Sequence, residues 1–250
     1  MRRGLAIGNW KMNVDRSSAM TLVDAIVAKI PDINADLVIC PPYLYIPEIS
    51  ERIANISIIC GAQNVAAHTT GAYTGEISAA MLKEFNCKYA IVGHSERRQY
   101  YADDNAAVAE RFYQAIAGDI IPILSTSETL IERENGTTFD VIAEQINVVI
   151  DKAGIESFMN AVISYEPLWA IGTGKTATDE QAQDVHYFIR QLIASKSQKV
   201  ADKIQILYGG SVKPENAQKL LAMPDIDGVL VGGASLTADS FLKIYSSFQK

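Results

Sequence analysis

Several short stretches of this chain place a charged or hydrogen-bonding residue just where an apolar run stops. Asn9 and Lys11 follow the run at 5–7, and His94, Ser95 and Glu96 follow the run at 89–92. Tyr165 and Glu166 come after 161–164, while Gly209-Gly210-Ser211 and Gly232-Gly233-Ala234 come after 204–207 and 228–231. A carboxylate is a general base, an uncharged imidazole can donate to a carbonyl oxygen and exchange a proton with it, and a lysine adds a fixed positive charge. Brought together, these groups suit removal of a proton beside a carbonyl, a step in which negative charge grows on oxygen and a cation and a donor stabilise it.

Each stretch also has a plainer reading. Asn9 and Lys11, two apart, point to one side if the backbone stays extended, yet a lysine at a strand end is commonly just solvated. Ser95 reads as the N-cap of a short helix starting near Glu96, a setting that favours an uncharged ring at His94; the alternative is a packed structural histidine. Glu96 either supports such a site or forms a surface ion pair with Arg97. Pro167 holds Glu166 extended. The segment that follows, Leu168-Trp169-Ala170-Ile171-Gly172-Thr173-Gly174-Lys175, is too apolar for an ordinary surface loop and reads as a lid that excludes water. Its bland counterpart is a connection tucked against the fold, with Glu166 a solvated strand-end carboxylate.

Two nucleotide motifs hide in the same segment and both fail. Gly-Lys-Thr at 174–176 would need glycine where Trp169 stands. G-x-G-x-x-A at 172–177 is separated from its strand, with Leu192 where a ribose-binding acid belongs. The two glycine pairs carry more weight, because residues without side chains let backbone N–H groups approach an anion closely. A single pair could equally be a tight turn at positive φ, but two pairs after neighbouring strands favour phosphate binding.

These residues need elements to hold them. Apolar, β-branched runs recur at 5–7, 37–40, 58–60, 89–92, 120–124, 161–164, 204–207 and 228–231, about 32 residues apart, which is the length of one strand–helix–strand unit. Each is nearly all apolar, as expected of strands covered on both faces. Between them lie helical patterns. Phe139, Ile142, Ile146, Val149, Ile150 and Ala153 are stopped by Gly154, Val108, Phe112, Ala115 and Ile116 are ended by Gly118, and Thr178 with Gln181 forms a capping box. No linker divides the chain. The pattern predicts an α/β fold, a closed (β/α)8 TIM barrel in one domain over 1–250, with its chemistry at the C-terminal strand ends.

Composition narrows the partners. The 250 residues are 48% hydrophobic and 20% charged with a net charge of −7, a poor match for nucleic acid or an anionic membrane. Cys40, Cys60 and Cys87 show no zinc spacing, and no run has the length of a secretory or membrane-spanning segment, so a cytoplasmic protein is expected.

Taken in order, Asn9-Trp10-Lys11-Met12-Asn13, Gly71-Ala72-Tyr73-Thr74-Gly75-Glu76, Gly93-His94-Ser95-Glu96-Arg97-Arg98, Tyr165-Glu166-Pro167-Leu168-Trp169-Ala170-Ile171-Gly172-Thr173-Gly174, Tyr208-Gly209-Gly210-Ser211-Val212 and Val231-Gly232-Gly233-Ala234-Ser235-Leu236 resemble the triosephosphate isomerase family from the first strand to the last. The resemblance implies interconversion of dihydroxyacetone phosphate and D-glyceraldehyde 3-phosphate, in glycolysis and gluconeogenesis, without cofactor or metal. It implies Glu166 as base, His94 as electrophile and proton shuttle, and Lys11 and Asn9 on the substrate oxygens. Gly172, Ser211, Gly232 and Gly233 would bind phosphate, 167–175 would close as a lid, and Thr74 would lie at a homodimer contact. One departure is visible. The family commonly reads Cys-x-Gly-Glu where this chain has Ser125-Thr126-Ser127-Glu128, which predicts weaker packing near the fifth strand without contact to the chemistry. A Schiff-base aldolase using Lys11 and a barrel that only binds phosphorylated ligands remain as competing readings.

Overall fold

The computed structural model describes residues 2–170 and 177–249. Eight parallel strands form a closed barrel in sequence order: β1 (Gly4–Asn9), β2 (Ala35–Cys40), β3 (Ile58–Ala62), β4 (Tyr89–Val92), β5 (Ile121–Thr126), β6 (Val162–Tyr165), β7 (Gln205–Tyr208) and β8 (Gly228–Val231). Closure comes from β8 pairing back onto β1, with Leu5 opposite Gly228 and Gly8 opposite Val231. The eight predicted runs are these strands, with edges moved by one or two residues.

Around the barrel lie α1 (Arg16–Lys29), α2 (Ile46–Arg52), α3 (Ala79–Glu84), α4 (Ser95–Tyr101), α5 (Asn105–Ala117), α6 (Leu130–Glu134), α7 (Thr138–Ala153), α8 (Asp179–Lys196), α9 (Gln198–Ala201), α10 (Pro214–Leu221) and α11 (Ala238–Ser246). Their boundaries follow local chemistry. Thr178 accepts from the Gln181 N–H while the Gln181 side chain accepts from the Thr178 N–H, which starts α8. Gly154 ends α7 and Gly118 ends α5. The predicted core face of α7 needs one correction: Phe139 stays 44% exposed and stacks on Phe188 of α8 at 4.5 Å between ring centroids. It seals the seam between two helices rather than packing on the sheet.

Alternation along the strands explains both the apolar runs and the position of the polar residues. Leu5, Ile7, Val38, Cys40, Tyr89, Ile91, Ile123, Val162, Leu207 and Leu230 cluster with one another and with no helix residue, so they fill the barrel interior. Their neighbours Ala6, Leu37, Ile39, Ala90, Val92, Leu124, Ile163, Ile206, Val229 and Val231 join the larger cluster that includes the helices. With a period of two, the interior parity continues from Ile7 to Asn9, from Ile123 to Ser125, from Val162 through Ser164 to Glu166, from Leu207 to Gly209 and from Leu230 to Gly232. The strands thus aim these five positions at one mouth.

Candidate active site

At the end of β1 the extended chain stops. Trp10 is buried, and Lys11 takes the left-handed conformation at φ 53°, an uncommon place for a lysine. Its N–H donates to Asn9 Oδ1 at 3.0 Å, and the Gln63 side-chain amide donates to the carbonyls of Lys11 (2.9 Å) and Cys40 (3.0 Å). Asn9 and Lys11 therefore share the site because a turn folds one back, not because a strand continues. The Lys11 ammonium pairs with Glu96 Oε1 at 2.6 Å, while Arg97 is taken by Asp103 at 2.7 Å. Glu96 thus pairs with Lys11 and not with Arg97.

His94 caps α4 itself. Its Nδ1 accepts the Glu96 N–H at 3.2 Å, and Ser95, the predicted cap, is the first helical residue. A ring nitrogen that accepts from an amide carries no proton, so the ring proton sits on Nε2, 3.8 Å from Glu166 Oε2. That separation is too long for a hydrogen bond and leaves the Nε2–H free to serve another acceptor. Glu166 is 1% exposed. Its Oε2 accepts from the Ser95 N–H at 3.2 Å and its Oε1 from the Ser125 hydroxyl at 2.7 Å.

The glycine pairs are not turns at positive φ: none of Gly209, Gly210, Gly232 and Gly233 lies in the left-handed region. Two of them are there for room. A Cβ at Gly209 would stand 2.7 Å from Glu166 Cγ and 2.6 Å from Ser164 Oγ, and one at Gly210 would stand 2.5 Å from Tyr208 Cζ. Asn9, Lys11, His94, Glu166, Gly209, Ser211, Gly232 and Gly233 all line one cavity of about 270 Å³. Among the described residues, the N–H groups of Ser211 and Gly233 meet no backbone acceptor. Gly172 lies outside the described residues, as does most of 167–175. Thr74 is exposed in the loop between β3 and α3, and it does not line the cavity.

Residues 4–248 match the family model described as triosephosphate isomerase. The chain belongs to the triosephosphate isomerase family. Proteins carrying that name include one from Methylococcus capsulatus, 55% identical over 247 residues and 99% of each chain. Another from Psychromonas ingrahamii is 50% identical over 98% of each, and one from Nitrosomonas europaea is 51% identical over 97% of each.

Against that family background the fifth strand requires a correction. The Ser125 departure does touch a residue assigned to the chemistry, since its hydroxyl donates to the Glu166 carboxylate at 2.7 Å. Ser127 causes no backbone strain, because it does not sit at positive φ. Its N–H and carbonyl are both satisfied by the Gln145 amide, at 2.9 and 2.8 Å. Sequence reasoning also passed over Glu128, which is fully buried at the base of the predicted lid. Its Oε1 accepts from the Tyr165 hydroxyl (2.8 Å) and the Trp169 indole N–H (3.0 Å), and Oε2 has no hydrogen-bond partner among the described residues. Burial is the chief reason its carboxyl titrates above the ordinary range. Residues Leu168–Ala170 form a 3-10 turn there, with the Arg133 guanidinium 5.3 Å over the Trp169 ring. The apolar stretch after Glu166 thus begins as an anchored turn.

Proposed function

We propose that this member of the triosephosphate isomerase family interconverts dihydroxyacetone phosphate and D-glyceraldehyde 3-phosphate, an aldose–ketose isomerisation of glycolysis and gluconeogenesis. The reading is carried by one observation: the Glu166 carboxylate and the protonated Nε2 of His94 lie 3.8 Å apart on the wall of a single cavity that Lys11 and both glycine pairs also line.

Glu166 takes the proton from the carbon beside the carbonyl. The electron pair of that C–H bond becomes the C=C bond of an enediolate, and the carbonyl π pair moves onto oxygen. His94 Nε2 gives its proton to this oxygen and takes one from the hydroxyl on the carbon that lost its proton, so the negative charge passes to that second oxygen, which becomes the new carbonyl, while the Lys11 ammonium and the Asn9 amide face the same charge. Returning the proton from Glu166 to the adjacent carbon completes the isomerisation. Backbone N–H groups of Gly172, Ser211, Gly232 and Gly233 hold the phosphate, remote from the reacting carbons, so its binding energy is available to close the segment 167–175 over the site. Water is then kept from an intermediate prone to expel phosphate. Every proton and charge in this scheme resides on these side chains, and no cofactor or metal is called on. The 2.6 Å ion pair of Lys11 with Glu96 supports its use as a cation rather than as a Schiff-base nucleophile.

Residues 1–250 are read as one barrel domain working in the cytoplasm. Among the described residues no helix is long and apolar enough to cross a membrane. A homodimer through the loop around Thr74 fits the 44% exposure of Tyr73 in that same loop, an apolar ring that a second copy would cover. The test of the reaction is a coupled assay of triose phosphate interconversion, together with exchange of the substrate's α-hydrogen with solvent. Wild type turns over and exchanges, and Glu166→Gln lowers both on the order of 10²–10⁴-fold. Turnover retained by the variant would remove Glu166 from its role, and a wild type without turnover would remove the assignment.

A further inference from the structure

Two of the three cysteines meet away from the cavity. Cys60 lies in β3, and Cys87 lies between α3 and β4. Their sulfurs are 3.8 Å apart, and both residues are buried in the layer that the strands share with the helices. Cys40 belongs to the cluster inside the barrel instead. The pair is unequal in its freedom. Cys60 is held in the sheet, opposite Ile39 of β2. Cys87 follows a helix of only six residues and then Asn86, which is left-handed at φ 57°, while residues 83–86 and 88 are exposed. A small lift of that turn brings Cys87 to solvent with Cys60 directly behind it. The hydrogen bond between the two sulfurs lowers the Cys87 thiol and raises that of Cys60, so Cys87 reaches the thiolate first. Sulfurs in a disulfide are about 2.05 Å apart, so closing the pair takes an approach of roughly 1.8 Å. The short helix and its turn are the parts able to supply it.

We propose that Cys60 and Cys87 are a reversible modification site, oxidised to an intramolecular disulfide by a small-molecule disulfide, and that the bond fastens the two ends of residues 61–86. The Cys87 thiolate attacks one sulfur of the reagent R–S–S–R, forming a mixed disulfide and expelling RS⁻, which takes up the proton that Cys87 lost. Cys60 then gives up its proton and attacks the Cys87 sulfur, and the second half of the reagent leaves as RSH. Two protein thiols are oxidised and one reagent disulfide is reduced to two thiols, so the step balances with no further oxidant. In a reducing compartment the pair rests as thiols and closes only when such disulfides accumulate. The ring so formed contains the loop around Thr74 and Gln63, whose amide donates to the carbonyls of Lys11 and Cys40. Joining its ends also removes freedom from the unfolded chain.

The experiment incubates the fully reduced protein under native conditions with oxidised glutathione, alkylates the remaining thiols in denaturant, and determines the mass and the linked peptides. The expected product has lost two hydrogens, keeps one thiol, Cys40, open to alkylation, and yields a cross-linked peptide pair carrying Cys60 and Cys87. Dithiothreitol restores all three thiols. The oxidised protein melts about 5–10 °C above the reduced one. Cys60→Ala stops at a mixed disulfide on Cys87, and Cys87→Ala leaves Cys60 reduced. If either variant does not fold, peptide mapping of the wild type carries the test. Three alkylated cysteines after exposure, a mixed disulfide that persists in the wild type, or a link made through Cys40 overturns the proposal. A link between Cys60 and Cys87 that leaves the melting temperature unchanged overturns the fastening.

Discussion

A missing methyl group at position 209 decides whether Glu166 has somewhere to rest. The Cβ of an alanine there would stand 2.7 Å from Glu166 Cγ, 2.6 Å from Ser164 Oγ and 3.3 Å from the Tyr165 carbonyl oxygen, and that carbonyl is backbone. The backbone at 209 is not left-handed, so Gly209→Ala costs through contact alone. We expect destabilisation of about 1–3 kcal/mol from overpacking, with kcat/KM lowered at least about ten-fold because the carboxylate is pushed off its donors. Urea unfolding and steady-state kinetics check the pair of effects, and unchanged kinetics would show that Glu166 is placed without this space. The types of the site residues were legible in the sequence because each interrupts an apolar run. Their partners were less so. Extending the parity of Ile123 by two residues points Ser125 into the mouth, as Val162 does for Glu166, but the contact itself depends on the pairing of β5 with β6. His94 as its own helix cap was not legible, since serine is the ordinary cap and imidazole is not.

At the scale of elements, the chain after β6 shows why its apolar content misled neither reading completely. Trp169 anchors the start of the segment read as a lid. Its turn is tied to Glu128 at the end of β5, a carboxylate that burial holds above the ordinary range and whose Oε2 has no hydrogen-bond partner among the described residues. For a carboxyl whose folded value is raised, the folded state binds more protons than the unfolded chain. Stability is then fullest below the ordinary glutamate value of 4.5 and is lost as the pH climbs through the raised folded value. Glu128→Gln removes that titration, while its amide oxygen can still accept from Tyr165 and Trp169 and its NH₂ takes the Oε2 position. The melting temperature of the variant should therefore gain on that of wild type as the pH rises from 4.5 toward 7. A gap constant across that range would mean that Glu128 pays no burial penalty in the fold. The sequence marked this residue only as the glutamate of the Cys-x-Gly-Glu pattern, because a glutamate beside a strand end looks like a solvated one until Tyr165, Trp169 and Arg133 are seen around it.

For the molecule as a whole, the two ends of the barrel divide the labour. The period of about 32 residues made the closed barrel legible, because only repetition and burial on both faces were needed. What holds the end away from the cavity was hidden, because charges scattered along the sequence meet there only after the barrel closes. Arg190 of α8 donates to Asp225 Oδ1 (2.6 Å), Asp227 Oδ2 (2.7 Å) and the carbonyls of Ala201 (2.9 Å) and Ile204 (3.2 Å), so it fastens α8 to the segments leading into β7 and β8. Asp227 Oδ2 also accepts the N–H of Ile206 at 2.9 Å. Arg190 is 8% exposed, and removing one partner from a buried ionic network leaves the others without compensation. Arg190→Met is expected to lose about 3–5 kcal/mol, which for a chain of this size lowers the melting temperature by roughly 10 °C. The cavity side chains, set at the C-terminal ends of the strands, share no hydrogen bond with this network, so kcat and KM at 25 °C should match wild type. Calorimetry and isomerase kinetics on the same preparation decide the matter. A variant that melts as wild type, or one that stays folded with altered KM, would show that the stabilising end and the reacting end are not independent.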